Sequence, residues 1–147
     1  MDELKIRKAI RSDQSEILKL VRSENLNPIN LRWENFLLGE TEQNRIIAIV
    51  QLKKHKDGSK ELASLVVQPE NRGQGYAGKL IKALISGCDE TIYLMCRSGL
   101  GPFYQQYGFE PITREEMPVY FKRIHTLFGL MKRVIKRDED LLIMCKK

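Results

Sequence analysis

With 147 residues, the chain has room for one ordinary compact domain and not for two. Its 42% hydrophobic and 30% charged content excludes a disordered or membrane-embedded chain, and no apolar run approaches the roughly 20 residues that span a bilayer. The formal net charge of +6 has a local origin, because Lys122, Arg123, Lys132, Arg133, Lys136 and Arg137 occupy 118–137 with no acidic residue among them.

The charged opening "MDELKIRKAI" lacks the apolar core of a secretory signal. Cys88, Cys96 and Cys145 form an odd set with neither C-x-x-C spacing nor a nearby histidine. That pattern predicts no disulfide framework and no metal site, and it suits a reducing, cytoplasmic setting.

"LKIRKAI" alternates as a short strand, and a helix follows it. Asp13 and Glu16 stand at capping-box spacing, and Ile17, Leu18, Leu20 and Val21 supply an apolar stripe. "NLNPIN" breaks the helix. "ENFLLGE", "RIIAIVQLKKH" and "ELASLVV" then read as a three-strand meander turning at "TEQN" and "KDGS". After "QPENRG" the spacing predicts a helix from about Gly75 to Ser86, with Leu80, Ile81, Leu84 and Ile85 on one side. "TIYLMC" is largely apolar, as a buried strand should be. "GPFYQQYGF" is a brief helix between Pro102 and Gly108, and "EDLLIMCKK" closes the chain as a strand. Between them, apolar residues from Tyr120 to Ile135 recur at three- and four-residue steps, which predicts an amphipathic helix with a basic outer face. Gly129 weakens it. The expectation is one α/β domain over 1–147.

Residues 73–78, G-Q-G-Y-A-G, have dinucleotide-binding spacing. Four residues separate the strand from Arg72, however, and Arg97 stands where the ribose-binding acid belongs. A kinase-type phosphate loop also fails, because Leu80 follows Gly78-Lys79. What survives is a glycine-rich helix start with uncovered amides and positive polarity, suited to a pyrophosphate. A surface turn that packs a helix closely on a sheet explains the glycines equally well.

The wider string "LVVQPENRGQGYAGKLI" resembles the acyl-coenzyme A signature R/Q-x-x-G-x-G/A of the GNAT acetyltransferase superfamily, with Arg72, Gly75 and Ala77 in register. Leu65, Val67 and Pro69 before it, and "FYQQYGF" after it, look like the family's, and the likeness runs over about residues 4–112. The resemblance implies an α/β (α+β) GNAT fold. Its mixed sheet would have six to seven mostly antiparallel strands, splayed at the coenzyme A site and flanked by helices. The family joins its last two strands by a short connection, and the basic segment here departs from that.

The resemblance implies that acetyl-CoA is the acyl donor, with direct transfer to a primary amine in a ternary complex. Amides of Gly73, Gln74, Gly75, Tyr76, Ala77 and Gly78, beside Arg72, would hold the pyrophosphate. The backbone of Leu65, Val66 and Val67 would pair with the pantetheine arm, and the Val67 amide would stabilise the oxyanion. Tyr104 would protonate the leaving thiolate, although a core aromatic fits "PFYQQY" as well. Glu61 would accept the amine's proton, although a solvated acid opening a strand is ordinary there. His55 reads as a turn residue and His125 as part of the basic helix, and neither is assigned chemistry. An acyl-cysteine at Cys96 is a remote alternative.

The string "EEMP…KRIHTLFGLMKRVI" is loosely similar to N-acetylglutamate synthase-type domains, which implies a small amino-acid-like acceptor. Acetylation of a protein N-terminus or lysine, and a non-catalytic acyl-CoA sensor, are the alternatives. The basic helix reads first as a helix docked on its own sheet; a lid, a homodimer interface and a surface for nucleic acid or acidic lipid are the other readings. Basic charge without aromatics on its polar face is thin evidence for nucleic acid.

Overall fold

The computed structural model describes residues 3–135 and 140–147. It contains β1 (Lys5–Lys8), α1 (Gln14–Ser23), β2 (Phe36–Glu40), β3 (Ile46–Lys54), β4 (Lys60–Val67) and α2 (Tyr76–Ser86). These are followed by β5 (Ile92–Arg97), α3 (Gly101–Gln105), β6 (Glu110–Pro111), α4 (Val119–Ile135) and β7 (Leu141–Lys146). The strands form one seven-stranded sheet in the order β1-β2-β3-β4-β5-β7-β6. Pairing is antiparallel for β1/β2, β2/β3, β5/β7 and β6/β7, and parallel for β4/β5. A parallel neighbour needs a crossover connection, and the chain between β4 and β5 supplies α2. The mixed sheet with flanking helices is the predicted architecture. The two-residue β6 was absent from the sequence reading, since a strand of that length carries no periodicity.

The chain falls into two compact units, 1–53 with 62–89, and 54–61 with 90–147. In the first, Ile17, Leu20 and Val21 of α1 pack with Phe36, Leu38, Ile49 and Val66. The helical stripe of α1 and the period-2 face of the strands thus meet in one core. Asp13 precedes α1 but does not cap it. Its carboxylate instead accepts from Arg7 Nη1 at 2.8 Å, Arg7 Nη2 at 3.1 Å and the Ile10 amide at 2.8 Å. A bidentate guanidinium outbids a helix amide for the same oxygens, so the expected capping box does not form.

In the second unit Met117, Phe121 and Ile143 are buried together, with Tyr93, Met95, Ile112 and Leu141 packed around them. This cluster anchors the inner face of α4, as expected for a helix docked on its own sheet. Gly129 does not interrupt α4, and Val119, Leu127, Leu130 and Met131 are exposed on it. The side chains of Arg133, Val134 and Ile135, and all of Lys136 and Arg137, lie outside the described residues. No helix among the described residues is long and apolar enough to cross a membrane.

Candidate functional site

In the first unit, β4 carries an irregularity. Ser64 sits at φ +53°, a left-handed conformation that interrupts the pleat between Ala63 and Leu65. Gln51 of β3 holds it, donating from Nε2 to Ser64 Oγ at 2.8 Å. Such a residue costs on the order of 1–3 kcal/mol and persists only where its surroundings over-determine it. Beyond Ser64, Val66 is buried in the α1 core, while Leu65 and Val67 are half-buried.

The glycine-rich turn follows. Gly73 and Gly75 lie at φ +79° and +81°, which accounts for glycine at both positions, and no heavy atom stands within 4 Å of where either would carry a Cβ. Gly75 is the N-cap of α2, so no side chain caps the helix. The first turn therefore begins with main-chain donors that no cap side chain occupies. The Tyr76 side chain is core, packed with Leu4 and Ile47, and its hydroxyl donates to Gln74 Oε1 at 3.0 Å.

Arg72 braces this turn from within. Its Nε donates to the Val67 carbonyl at 3.0 Å, and its Nη2 pairs with Glu24 Oε1, just past α1, at 2.8 Å. One guanidinium thus ties together the end of β4, the end of α1 and the turn. The structure brings Leu65–Val67 and the 72–78 turn together through this side chain.

The second unit holds the two residues expected to move protons. Tyr104, on α3, is 9% exposed, with Phe103 and Phe109 against its ring. Burial, and next the neighbouring Cys96, push its phenol up to about 12, so it remains a proton donor at neutral pH. Among the described residues no side chain or carbonyl engages its hydroxyl. Cys96 is itself buried, which pushes its thiol up and leaves it a poor nucleophile.

Glu61 is the second residue of β4, registered against Tyr93 of β5 in a parallel ladder of only two pairs. It is not the solvated acid that strand openings usually carry. Its side chain is 4% exposed, and Oε1 lies 2.7 Å from His55 Nε2, whose own side chain is 8% exposed. The sequence makes His55 a turn residue with no chemistry assigned, and the structure differs. The turn closes by His55 N→Ser59 O and Gly58 N→His55 O. A hairpin turning on Asp57-Gly58 sets positions 55 and 61 diagonally across its mouth, so the "DG" dipeptide was the signal that could have joined them. Tyr120, from α4, was the other residue missed, because no sequence pattern tied it to the turn.

The acetyltransferase (GNAT) domain family model matches residues 32–111. None of the curated proteins matches the chain by sequence. Among solved structures, N-acetylglutamate synthase from Neisseria gonorrhoeae, complexed with coenzyme A and N-acetyl-glutamate, superposes with a TM-score of 0.71 at 19% identity. The match takes in 98% of this chain but 35% of that one, so this chain spans about a third of the synthase. Rv2747 from Mycobacterium tuberculosis, in complex with CoA, gives 0.73 at 15% identity, covering 97% and 98% of the two chains. An acyl-CoA N-acyltransferase from Pseudomonas aeruginosa gives 0.68 at 15%, with both chains covered fully. With more than half its length matched by the family model, the chain belongs to the GNAT acetyltransferases.

Proposed function

We propose that residues 1–147 form one catalytic domain that moves acetyl from acetyl-CoA to the primary amine of a small, amino-acid-like acceptor. The observation that carries the reading is the start of α2, where a left-handed glycine replaces any capping side chain. Amides there suit the pyrophosphate of coenzyme A, because helix N-termini combine unpaired donors with positive polarity. Arg72, engaged by Glu24 and Val67, serves by fixing the turn. The Leu65–Val67 backbone pairs with the pantetheine arm, and the Val67 amide faces the developing oxyanion.

Glu61 accepts a proton from the acceptor's ammonium, freeing the lone pair that attacks the acetyl carbonyl. Tyr104 donates a proton to the sulfur as the carbon–sulfur bond breaks. A phenol held up at about 12 is a weak acid but a ready partner for a leaving thiolate. The amino-acid-like acceptor is supported by the likeness to the Neisseria synthase, whose complex contains N-acetyl-glutamate. A cytoplasmic setting suits cysteines that occur as thiols.

The test is thiol release from acetyl-CoA over L-glutamate, L-aspartate, L-lysine, spermidine and an unblocked peptide, with Tyr104→Phe alongside. The reading expects turnover on a free amino acid and a loss of about 10²-fold or more in Tyr104→Phe. Turnover on the peptide alone would transfer the assignment to a protein acetyltransferase. Tight CoA binding with no turnover would make the domain an acyl-CoA sensor. Gly75→Glu should abolish CoA binding, since its carboxylate repels the diphosphate.

A further inference from the structure

The second unit holds a buried polar assembly that acetyl transfer, as set out above, uses only in part. His55 Nε2 lies 2.7 Å from Glu61 Oε1. The imidazole stacks on the Tyr120 ring at 3.6 Å between centroids and 17° between planes, and Phe121 meets it edge-on at 5.8 Å and 84°. Tyr120 is anchored in turn, because its amide donates to Asp57 Oδ2 at 3.0 Å. Asp57 also accepts from the Ser59 amide and hydroxyl, at 2.9 Å and 2.6 Å. The turn before β4, the first turn of α4 and the carboxylate at the start of β4 are thus locked to one another.

Stability alone gives no reason for the polar pair at the centre of this assembly. A buried histidine–carboxylate pair loses hydration at both partners, and apolar residues of similar size usually stabilise a fold as well or better. A carboxylate that must be aimed has a different requirement. With Glu61 as the acceptor, Nε2 is the donor and takes up Oε1. Among the described residues Oε2 has no hydrogen bond, and it is the oxygen left to accept a proton. Nε2 of the imidazole is turned to Glu61, and the ring rests on Tyr120 with Phe121 edge-on, an arrangement that orients the carboxylate.

We infer that His55 is the positioning residue for the general base: pinned by Tyr120, it holds one oxygen of Glu61 and so presents the other to the acceptor amine. This rests on the acetyl-transfer reading and on Glu61 as its base. A general base contributes about 10²–10⁴-fold, and a displacement of about 1 Å can cost 10²-fold, so losing the pin should reach kcat before anything else.

The experiment exploits two amides of different reach. Glutamine can place its nitrogen where Nε2 stands, whereas the asparagine nitrogen stops near the position of Nδ1. Initial rates are measured with acetyl-CoA and whichever panel amine the wild type acetylates fastest, for His55→Asn, His55→Gln, Glu61→Gln and the His55→Asn/Glu61→Gln pair. His55→Asn should lose about 10- to 100-fold in kcat while KM for acetyl-CoA stays within about threefold. His55→Gln should recover most of that loss, and His55→Asn should cost nothing further once Glu61 is glutamine. Wild-type kcat in His55→Asn, equal losses in the two His55 variants, or losses that multiply in the double variant would each overturn the inference and leave acetyl transfer standing. No wild-type turnover on any amine would overturn both. Should His55→Asn fail to fold, Tyr120→Leu removes the stack instead, and it must lower kcat without moving KM for acetyl-CoA.

Discussion

Two glycines of this chain should respond to the same substitution in opposite directions. Gly75 stands at φ +81° before α2, and Gly129 lies in the interior of α4. An added Cβ meets no heavy atom within 4 Å at either position, so neither change introduces a clash. Only backbone conformation separates them. At Gly75 an L-residue is forced into the left-handed region at about 1–2 kcal/mol. At Gly129, Gly75's counterpart inside a helix, alanine reduces the freedom of the unfolded chain and should add about 0.5–1 kcal/mol. For a chain of this size each kcal/mol moves Tm by roughly 2–4 °C, so Gly75→Ala should melt about 2–8 °C lower. Gly129→Ala should melt about 1–4 °C higher. Thermal unfolding followed by circular dichroism, with denaturant titrations at constant m-value, reads both. Shifts of the same sign would refute the reasoning, because they would mean that local contacts, and not φ, decide the cost.

Asp13→Ala should cost about 2–3 kcal/mol, below the roughly 3–5 kcal/mol of a fully buried pair, since Arg7 keeps some solvent contact. The Arg7 hydrogen bond holds the Asp13 carboxyl below the usual range, so its contribution is complete above about pH 4 and fades as pH falls through the lowered value. Stability curves of Asp13→Asn should accordingly be flatter in acid, and an unchanged acid limb would count against the pairing. Phenolate absorbance should show Tyr104 ionising near pH 12, a step missing from Tyr104→Phe. Because burial raises that phenol above its unfolded value near 10, the wild type should lose stability from about pH 10 upward, and Tyr104→Phe should lose less. Phe121→Ala should cost about 3–5 kcal/mol as a fully buried ring, whereas Leu130→Ser, 55% exposed, should stay within about 0.5 kcal/mol.

Local chemistry carried much of this protein into view. The glycines at 73 and 75 mark a helix start whose turn takes positive φ, a requirement that acts within a few residues. The stripe of α1, the apolar runs of β2 and β3, and the period of α4 through Gly129 are properties of neighbouring side chains along one segment. Local pattern is therefore enough to read them.

Tertiary structure decided what each polar group is paired with. Asp13 looked like a helix cap and became the partner of Arg7, because a guanidinium on β1 reaches it first. Arg72 looked like a phosphate ligand and also proved to be a brace, tied to Val67 and to Glu24, the latter 48 residues from it in sequence. Glu61 reads equally as a proton acceptor and as a solvated acid opening a strand, and it is buried against His55, under a tyrosine that arrives 59 positions later on another element. Spacing along a chain determines which residues share a face. Whether a charge meets water or a partner depends on elements distant in sequence, and on that depends which of these groups can do chemistry.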